Sequence, residues 1–244
     1  REDPLFPPML HDLHDPPYLL YMRGKAQTLK RQERLCVVGT RKPSEYGCNA
    51  AHALSRQWSE LGGSVVSGMA LGIDAAAHEG ALSSGAAYAT IAVLPGGLDI
   101  SQPRQNEALF NRLLEEGMLT SENPPDYPLF PGNIPPRNRL MAALCQGVFL
   151  VEAPLKSGTQ YTLSPALDLG REVFALPGQI DNPTATLPNQ LIREGAKIVN
   201  DIRDIAEEYP SLWDRLGRLA AESPATPLFS GPRVKMDGEK KTAA

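Results

Sequence analysis

Four glycine-bearing turns hold the residues whose types and spacing point to ligand chemistry. They read Gly39-Thr40-Arg41-Lys42, Ser67-Gly68-Met69-Ala70-Leu71-Gly72-Ile73-Asp74, Pro95-Gly96-Gly97, and Glu152 through Lys156-Ser157-Gly158-Thr159. Each follows a short apolar run and precedes a helix-length stretch. Glycine lets the backbone approach a ligand closely, and a helix starting just beyond presents free N–H groups at its positive dipole end, so these turns suit phosphate or another anion. Strand-to-helix turns also need glycine for their own geometry, which explains any one of them. Four in register, with Arg41 and Lys156 beside them, favour the anion.

Basic residues gather in two places. Between Met22 and Pro43 lie Arg23, Lys25, Lys30, Arg31, Arg34, Arg41 and Lys42 against one acid, Glu33. This is either a solvated connector or an anion surface, and Arg41 has the more suggestive place, at a strand end. The second cluster, Pro135-Pro136-Arg137-Asn138-Arg139, opens a helix with prolines where a first turn tolerates them. Two arginines at the positive end of a helix are unfavourable by dipole alone, so at least one should face an anion or a carboxylate partner. The preceding loop, 123–134, carries Tyr127 and Phe130 among stiff prolines. These aromatics either stack unpaired bases beside the arginines, as single-strand binders do, or pack into the core.

The sequence offers little for catalysis or cofactors. The first turn does not complete G-x-G-x-x-G, the second strand ends in Ser-Gly where an NAD site needs a carboxylate, and no Walker A loop occurs. No G-x-S-x-G elbow appears, and His11-x-x-His14 is too isolated to hold a metal. Glu152 is the best single acid for proton transfer, with a structural pairing to Arg137 or Arg139 as the alternative. No cofactor and no metal are expected.

These residues need a scaffold that brings strand ends together. Near-continuous apolar runs at 35–39, 64–68, 90–94, 148–152 and 173–176, with a weaker one at 197–199, alternate with helical spacers at 47–61, 74–85, 106–116, 136–145, 161–169 and 187–194. That alternation predicts an α/β fold with a doubly wound, mostly parallel sheet, whose ligands bind at the carboxyl ends of the strands. Residues 1–34 read as a proline-rich lead-in packing on the core, with a short strand-like run from Tyr18 to Met22 that closes on Arg23-Gly24, 35–208 as the Rossmann-like domain, and 209–244 as a short helix and a disordered tail. With 244 residues, 42% of them hydrophobic, there is material for one sizeable core. A net charge of −4 excludes a histone-like electrostatic binder and requires local clustering for any nucleic-acid surface. Neither a membrane-length apolar run nor a signal-peptide core is evident, and three scattered cysteines suit reduced core thiols, so the expected location is the cytoplasm.

The residues now assembled resemble the DprA/Smf family of DNA-processing proteins. The likeness runs from about Pro4 to Ile205 and includes Asp15-Pro16-Pro17 with Tyr21-Met22-Arg23-Gly24, Val37-Val38-Gly39-Thr40-Arg41, Ser67-Gly68 with the Gly72 to His78 run, and Gly97-Leu98-Asp99. Further on it includes Arg137-Asn138-Arg139, Val151-Glu152-Ala153 with Ser157-Gly158, and Gly170 to Ala175 with Pro177-Gly178. The resemblance implies an extended Rossmann-like domain that binds single-stranded DNA without cutting it, forms a homodimer and helps load the RecA recombinase in natural transformation. By motif match, the DNA site would draw on Gly39, Thr40, Arg41, Ser67, Gly68, Arg137, Asn138, Arg139, Lys156, Ser157 and Gly158, with Phe130 added from the aromatic loop. This chain has Leu71 where the family usually has arginine and Ile134 where it usually has an aromatic. The competing readings are a phosphoribohydrolase-like enzyme acting on nucleoside monophosphates and a nucleotide-sensing module. Against the enzyme, Ser157-Gly158-Thr159 is followed by Gln160, Tyr161 and Thr162, with no nearby carboxylate.

Overall fold

The apolar runs become strands because unbroken β-branched and aromatic stretches fit a sheet covered on both faces. A computed structural model describes Pro4 and residues 6–222. Its strands are β1 (Tyr21–Gly24), β2 (Arg34–Val38), β3 (Ser64–Ser67), β4 (Thr90–Val93), β5 (Met118–Ser121), β6 (Gly147–Leu150), β7 (Glu172–Ala175) and β8 (Lys197–Ile198). They form one sheet in the order β1-β5-β4-β3-β2-β6-β7-β8. The edge strand β1 is antiparallel to β5, with Tyr21 opposite Ser121, and the other pairings are parallel. The helices are α1 (Glu45–Glu60), α2 (Ile73–Ser83), α3 (Glu107–Glu116), α4 (Ile134–Ala143), α5 (Gln160–Asp168), α6 (Thr186–Arg193), α7 (Ile202–Ala206) and α8 (Pro210–Glu222).

Side chains alternate across the sheet with a period of two. Leu35, Val37 and Val65 join Leu54 and Trp58 of α1 and Ile73 and Ala77 of α2 on one face. Cys36, Val38, Val66 and Val148 join Leu140 and Met141 of α4 and Leu163 of α5 on the other, where Leu10 and Leu13 of the lead-in also pack. All three cysteines are free thiols, and Cys36 and Cys145 are buried.

The strand-like run of the lead-in becomes the edge strand β1, set at Tyr21–Gly24, and one strand lies outside the sequence expectations: β5, which begins a single glycine after α3 and is only four residues long. The core also runs past residue 208. Tyr209 meets Trp58 edge to face at 4.8 Å between ring centroids, and Leu212 of α8 is buried in the same cluster. The tail expected to be disordered lies, beyond Glu222, outside the described residues. Among the described residues no helix is long and apolar enough to cross a membrane.

One consequence of the strand order positions the site. From β2 the chain proceeds outward to β3, β4 and β5, and from β6 it proceeds to β7 and β8 on the other side. The crevice between the carboxyl ends of β2 and β6 is therefore the point where the winding reverses, which is where open α/β sheets take their ligands.

Candidate nucleic-acid interface

A cavity of about 400 Å³ opens at this crevice, bordered by Thr40, Arg41, Asp74, Arg137, Asn138 and Ser157. The first turn is fixed by close contact on two sides. The Thr40 amide donates to the Glu152 carbonyl (2.7 Å), and the Ile73 amide donates to the Thr40 carbonyl (3.2 Å). A Cβ at Gly39 would lie 2.6 Å from Ile73 Cγ1 and 2.8 Å from the Glu152 carbonyl oxygen, so only glycine lets β2, β6 and α2 approach this closely. The turn thus delivers Arg41 and Lys42 to the cavity wall, both exposed. Among the described residues the Arg41 guanidinium and the Lys42 ammonium have no hydrogen-bond or ion-pair partner.

The second turn is closed upon itself. Oδ2 of Asp74, in the first turn of α2, accepts from the Gly68 amide (3.2 Å) and the Ala70 amide (3.3 Å). Nη1 of Arg137 donates to the Gly68 carbonyl (2.8 Å) and to the Val93 carbonyl, while its Nε donates to Asn138 Oδ1 (2.9 Å). Arg137 is 7% exposed and braces the ends of β3 and β4. Burial lowers its pKa to about 10, with Asp74 opposing the shift, and burial raises the Asp74 carboxyl, with Arg137 opposing. The Ser67 hydroxyl donates to the Val37 carbonyl (2.7 Å) across the sheet. Ser67 and the Gly68 amide are therefore bound within the protein, and the anion reading of this turn gives way to a structural one.

The third turn is structural too. The Gly97 amide donates to the Tyr127 carbonyl (2.8 Å), and a Cβ there would lie 2.1 Å from the Pro125 carbonyl oxygen. At the fourth turn Ser157, Gly158 and Thr159 border the cavity, and the Ser157 hydroxyl meets that of Thr159 at 2.5 Å. Lys156 is exposed but does not border the cavity. Arg139 points elsewhere: its Nη2 pairs with both oxygens of Glu122 (2.8 and 3.0 Å) and approaches Asp15 at 3.8 Å. Phe130 is 51% exposed and meets Tyr127 edge to face at 6.1 Å, so neither ring is a core residue, and Phe130 itself does not border the cavity.

Glu152 is an acid already occupied. It is 2% exposed, and its carboxylate accepts from the Ser44 amide (2.8 Å), the Ser44 hydroxyl (2.6 Å) and Asn182 Nδ2 (3.3 Å). Its partner is the N-cap residue of α1 rather than Arg137 or Arg139. The basic run 22–43 also divides: Arg31 donates to the Gly63 and Ala87 carbonyls, Arg34 to those of Leu144, Leu29 and Arg31, and Arg23 pairs with Asp99. Arg34 begins β2, at the sheet edge opposite Arg41. Asp74 and Lys42 border the cavity but were not singled out as site residues, since a carboxylate in a helix's first turn and a lysine after an arginine are ordinary features on their own.

An open, doubly wound α/β sheet with unpaired cations at its switch point defines a Rossmann-like protein with a candidate anion site. The chain belongs to the DNA recombination-mediator protein A family, whose model matches residues 1–210. It is 38% identical over 205 residues to the DNA processing protein DprA of Bacillus subtilis, covering 84% of this chain and 68% of that protein. It is 41% identical over 203 residues to protein Smf of Escherichia coli, covering 83% of this chain but only 54% of that protein. Among solved structures, DprA from Streptococcus pneumoniae superposes with a TM-score of 0.80 at 36% identity, covering 84% of this chain and 71% of that one. DprA from Helicobacter pylori, studied for its unique single-stranded DNA binding mode, superposes with a TM-score of 0.76 at 30% identity, over 83% of this chain and 91% of that one.

Proposed function

We propose that this chain binds single-stranded DNA at the carboxyl edge of its sheet, holding the sugar-phosphate backbone with Arg41 and Lys42. The observation that carries this reading is the contrast among the arginines. Arg23, Arg31, Arg34, Arg137 and Arg139 are all bonded to protein groups, while Arg41 stands unpaired at the switch-point cavity. Unpaired cations need break no protein ion pair to meet a phosphate, and each phosphate they neutralise releases condensed counterions from the strand. Ser157, Gly158 and Asn138 border the same cavity, so its cations stand beside small or neutral residues. An open cleft of about 400 Å³ admits a nucleotide unit from an unpaired strand more readily than the rim of a duplex.

Binding without cleavage is the companion proposal. Glu152 holds the start of α1, and Asp74 holds the 68–70 turn. Incubated with nucleoside monophosphates, the protein should release no free base above background by chromatography. Release that is abolished by Asp74→Asn would move the function to hydrolysis. Homodimerisation and loading of the RecA recombinase in natural transformation rest on the family resemblance. Titration of a fluorescent oligothymidylate at several salt concentrations tests the binding claim, with a slope of log affinity against log salt of roughly −0.7 per phosphate neutralised. Absence of binding at low salt contradicts it.

A further inference from the structure

A carboxylate is out of place in a cleft that is to receive phosphate. Asp74 is 6% exposed, yet it borders the switch-point cavity together with Arg41, Lys42 and Arg137. Its Oδ2 accepts from the Gly68 and Ala70 amides, and among the described residues Oδ1 has no hydrogen-bond partner and neither oxygen has an ion pair. The groups that face it come from several elements. Arg137 of α4 and Arg41 of the turn after β2 favour its charged form, while burial opposes it. The buried Cys36 thiol faces it from β2. Along α2 itself His78 lies one turn on, with its ring bonded to the Thr90 hydroxyl. From the start of α3, the neutral Asn106 side chain donates to the Met69 and Ala70 carbonyls instead. The charge on Asp74 is thus supported by two guanidiniums, and one of them is the group proposed above to take a phosphate.

We infer that Asp74 couples strand binding to proton uptake. A phosphate seated at Arg41 neutralises one of the two supporting cations and adds a negative charge to the same cavity, so the carboxylate takes a proton from solvent as the strand binds. Oδ1 is the oxygen free to receive it, and Oδ2 keeps its two amides. The inference rests on the single-strand reading and adds to it a regulation that backbone grip alone does not imply. The sign follows from linkage. Burial holds the free carboxyl above its ordinary value, and a neighbouring phosphate moves it higher still. Between the two values the complex holds up to about one proton more than the free protein, so affinity rises as pH falls, by up to about tenfold per pH unit, and levels off on either side.

The test titrates a fluorescent oligothymidylate, whose bases and diesters do not ionise in this range, with the full chain at fixed salt from roughly pH 5 to pH 8. Asp74→Asn keeps an amide oxygen for the Gly68 and Ala70 amides but cannot take up the proton. It should bind with the parent's low-pH affinity at every pH. Calorimetry in two buffers of unlike ionisation enthalpy counts the protons directly and serves where that variant does not fold. The parent should take up protons on binding, and Arg41→Ala, which has lost the phosphate seat, should take up none. Parent affinity that does not change with pH overturns the proposal and leaves backbone binding standing. A pH dependence that survives Asp74→Asn, or an uptake undiminished in Arg41→Ala, overturns it as well. Failure of the strand to bind the parent at any pH contradicts the single-strand reading itself.

Discussion

Replacing Arg41 with alanine removes a side chain that no other described residue holds, so it should leave thermal stability nearly unchanged and weaken all strands alike. The salt slope should become shallower by about one phosphate's worth. Arg137→Ala should do the opposite. It deletes the brace between the Gly68 and Val93 carbonyls and strands Asp74 in a buried setting, a loss of about 3 kcal/mol or more by chemical denaturation. Comparable melting of the two variants would show that their roles have been misassigned. Sequence cannot make this distinction: Arg41 leaves a strand end and Arg137 opens a helix, both places suited to an anion, and what separates them is the presence of carbonyls contributed from residues 68 and 93. His78 adds a pH effect at the same scale. Its Nδ1 bonds the Thr90 hydroxyl (2.7 Å), and that hydroxyl donates to the Val65 carbonyl (3.0 Å), so the ring is neutral with Nδ1 protonated. Burial first, and the charge of Arg137 second, lower its pKa to about 3 from 6.5. An unfolded chain takes up this proton at the higher value, so the stability contribution is intact above pH 6.5 and is lost as pH falls toward 3. The slope is at most ~1.4 kcal/mol per pH unit. The raised Asp74 carboxyl acts in the opposite sense, gaining stability as pH falls through its window. Urea midpoints measured between pH 4 and 8 should therefore show a flatter profile for His78→Gln than for the parent, and identical profiles would contradict the neutral buried ring.

The helix starts place the site, and one carboxylate secures the first of them. Glu152 at the end of β6 caps α1 through both the amide and the hydroxyl of Ser44, which locks the turn carrying Arg41 between two strands. Glu152→Ala should cost about 3 kcal/mol in denaturant unfolding, and Glu152→Gln less, because an amide oxygen still accepts from the Ser44 backbone. A Glu152→Ala variant of parental stability would remove Glu152 from this role. Strands β2, β3, β4, β6, β7 and β8, and each described α-helix except α7, are legible in the sequence, most of them as runs of one periodicity bounded by glycine or proline. What escapes is short or defined by its partner. Met118 to Ser121 is four residues following a helix with only Gly117 between, and Ile202 to Ala206 is a five-residue helix closed by a capping box at Asp201; Tyr21 to Gly24 is legible as a strand, but its antiparallel place at the sheet edge is set by β5. The glycine turns were equally visible, but which of them faces a ligand depends on Asp74 and on the 124–127 backbone folding over them, and that is not local information.

Across the whole molecule the charges are distributed so that binding must be local. A net charge of −4 supplies no general attraction for DNA, and Arg31, Arg34, Arg139 and Arg171 fasten the lead-in, the sheet and the helices to one another. The unpaired cations of the switch-point crevice are left to act, within a fold matched along 1–210 to a family of recombination mediators. An electrostatic site confined to a crevice should discriminate by strand accessibility rather than by sequence, since a duplex keeps its bases stacked and its backbone on a rigid cylinder. The central claim is tested most directly by competition at matched salt, in which a labelled single strand bound to the protein is displaced by unlabelled single strand, duplex of the same sequence, or mononucleotide. Single strand should displace the label at far lower concentration than duplex, whatever the base composition, with mononucleotide weakest. Displacement by duplex as efficient as by single strand would contradict it.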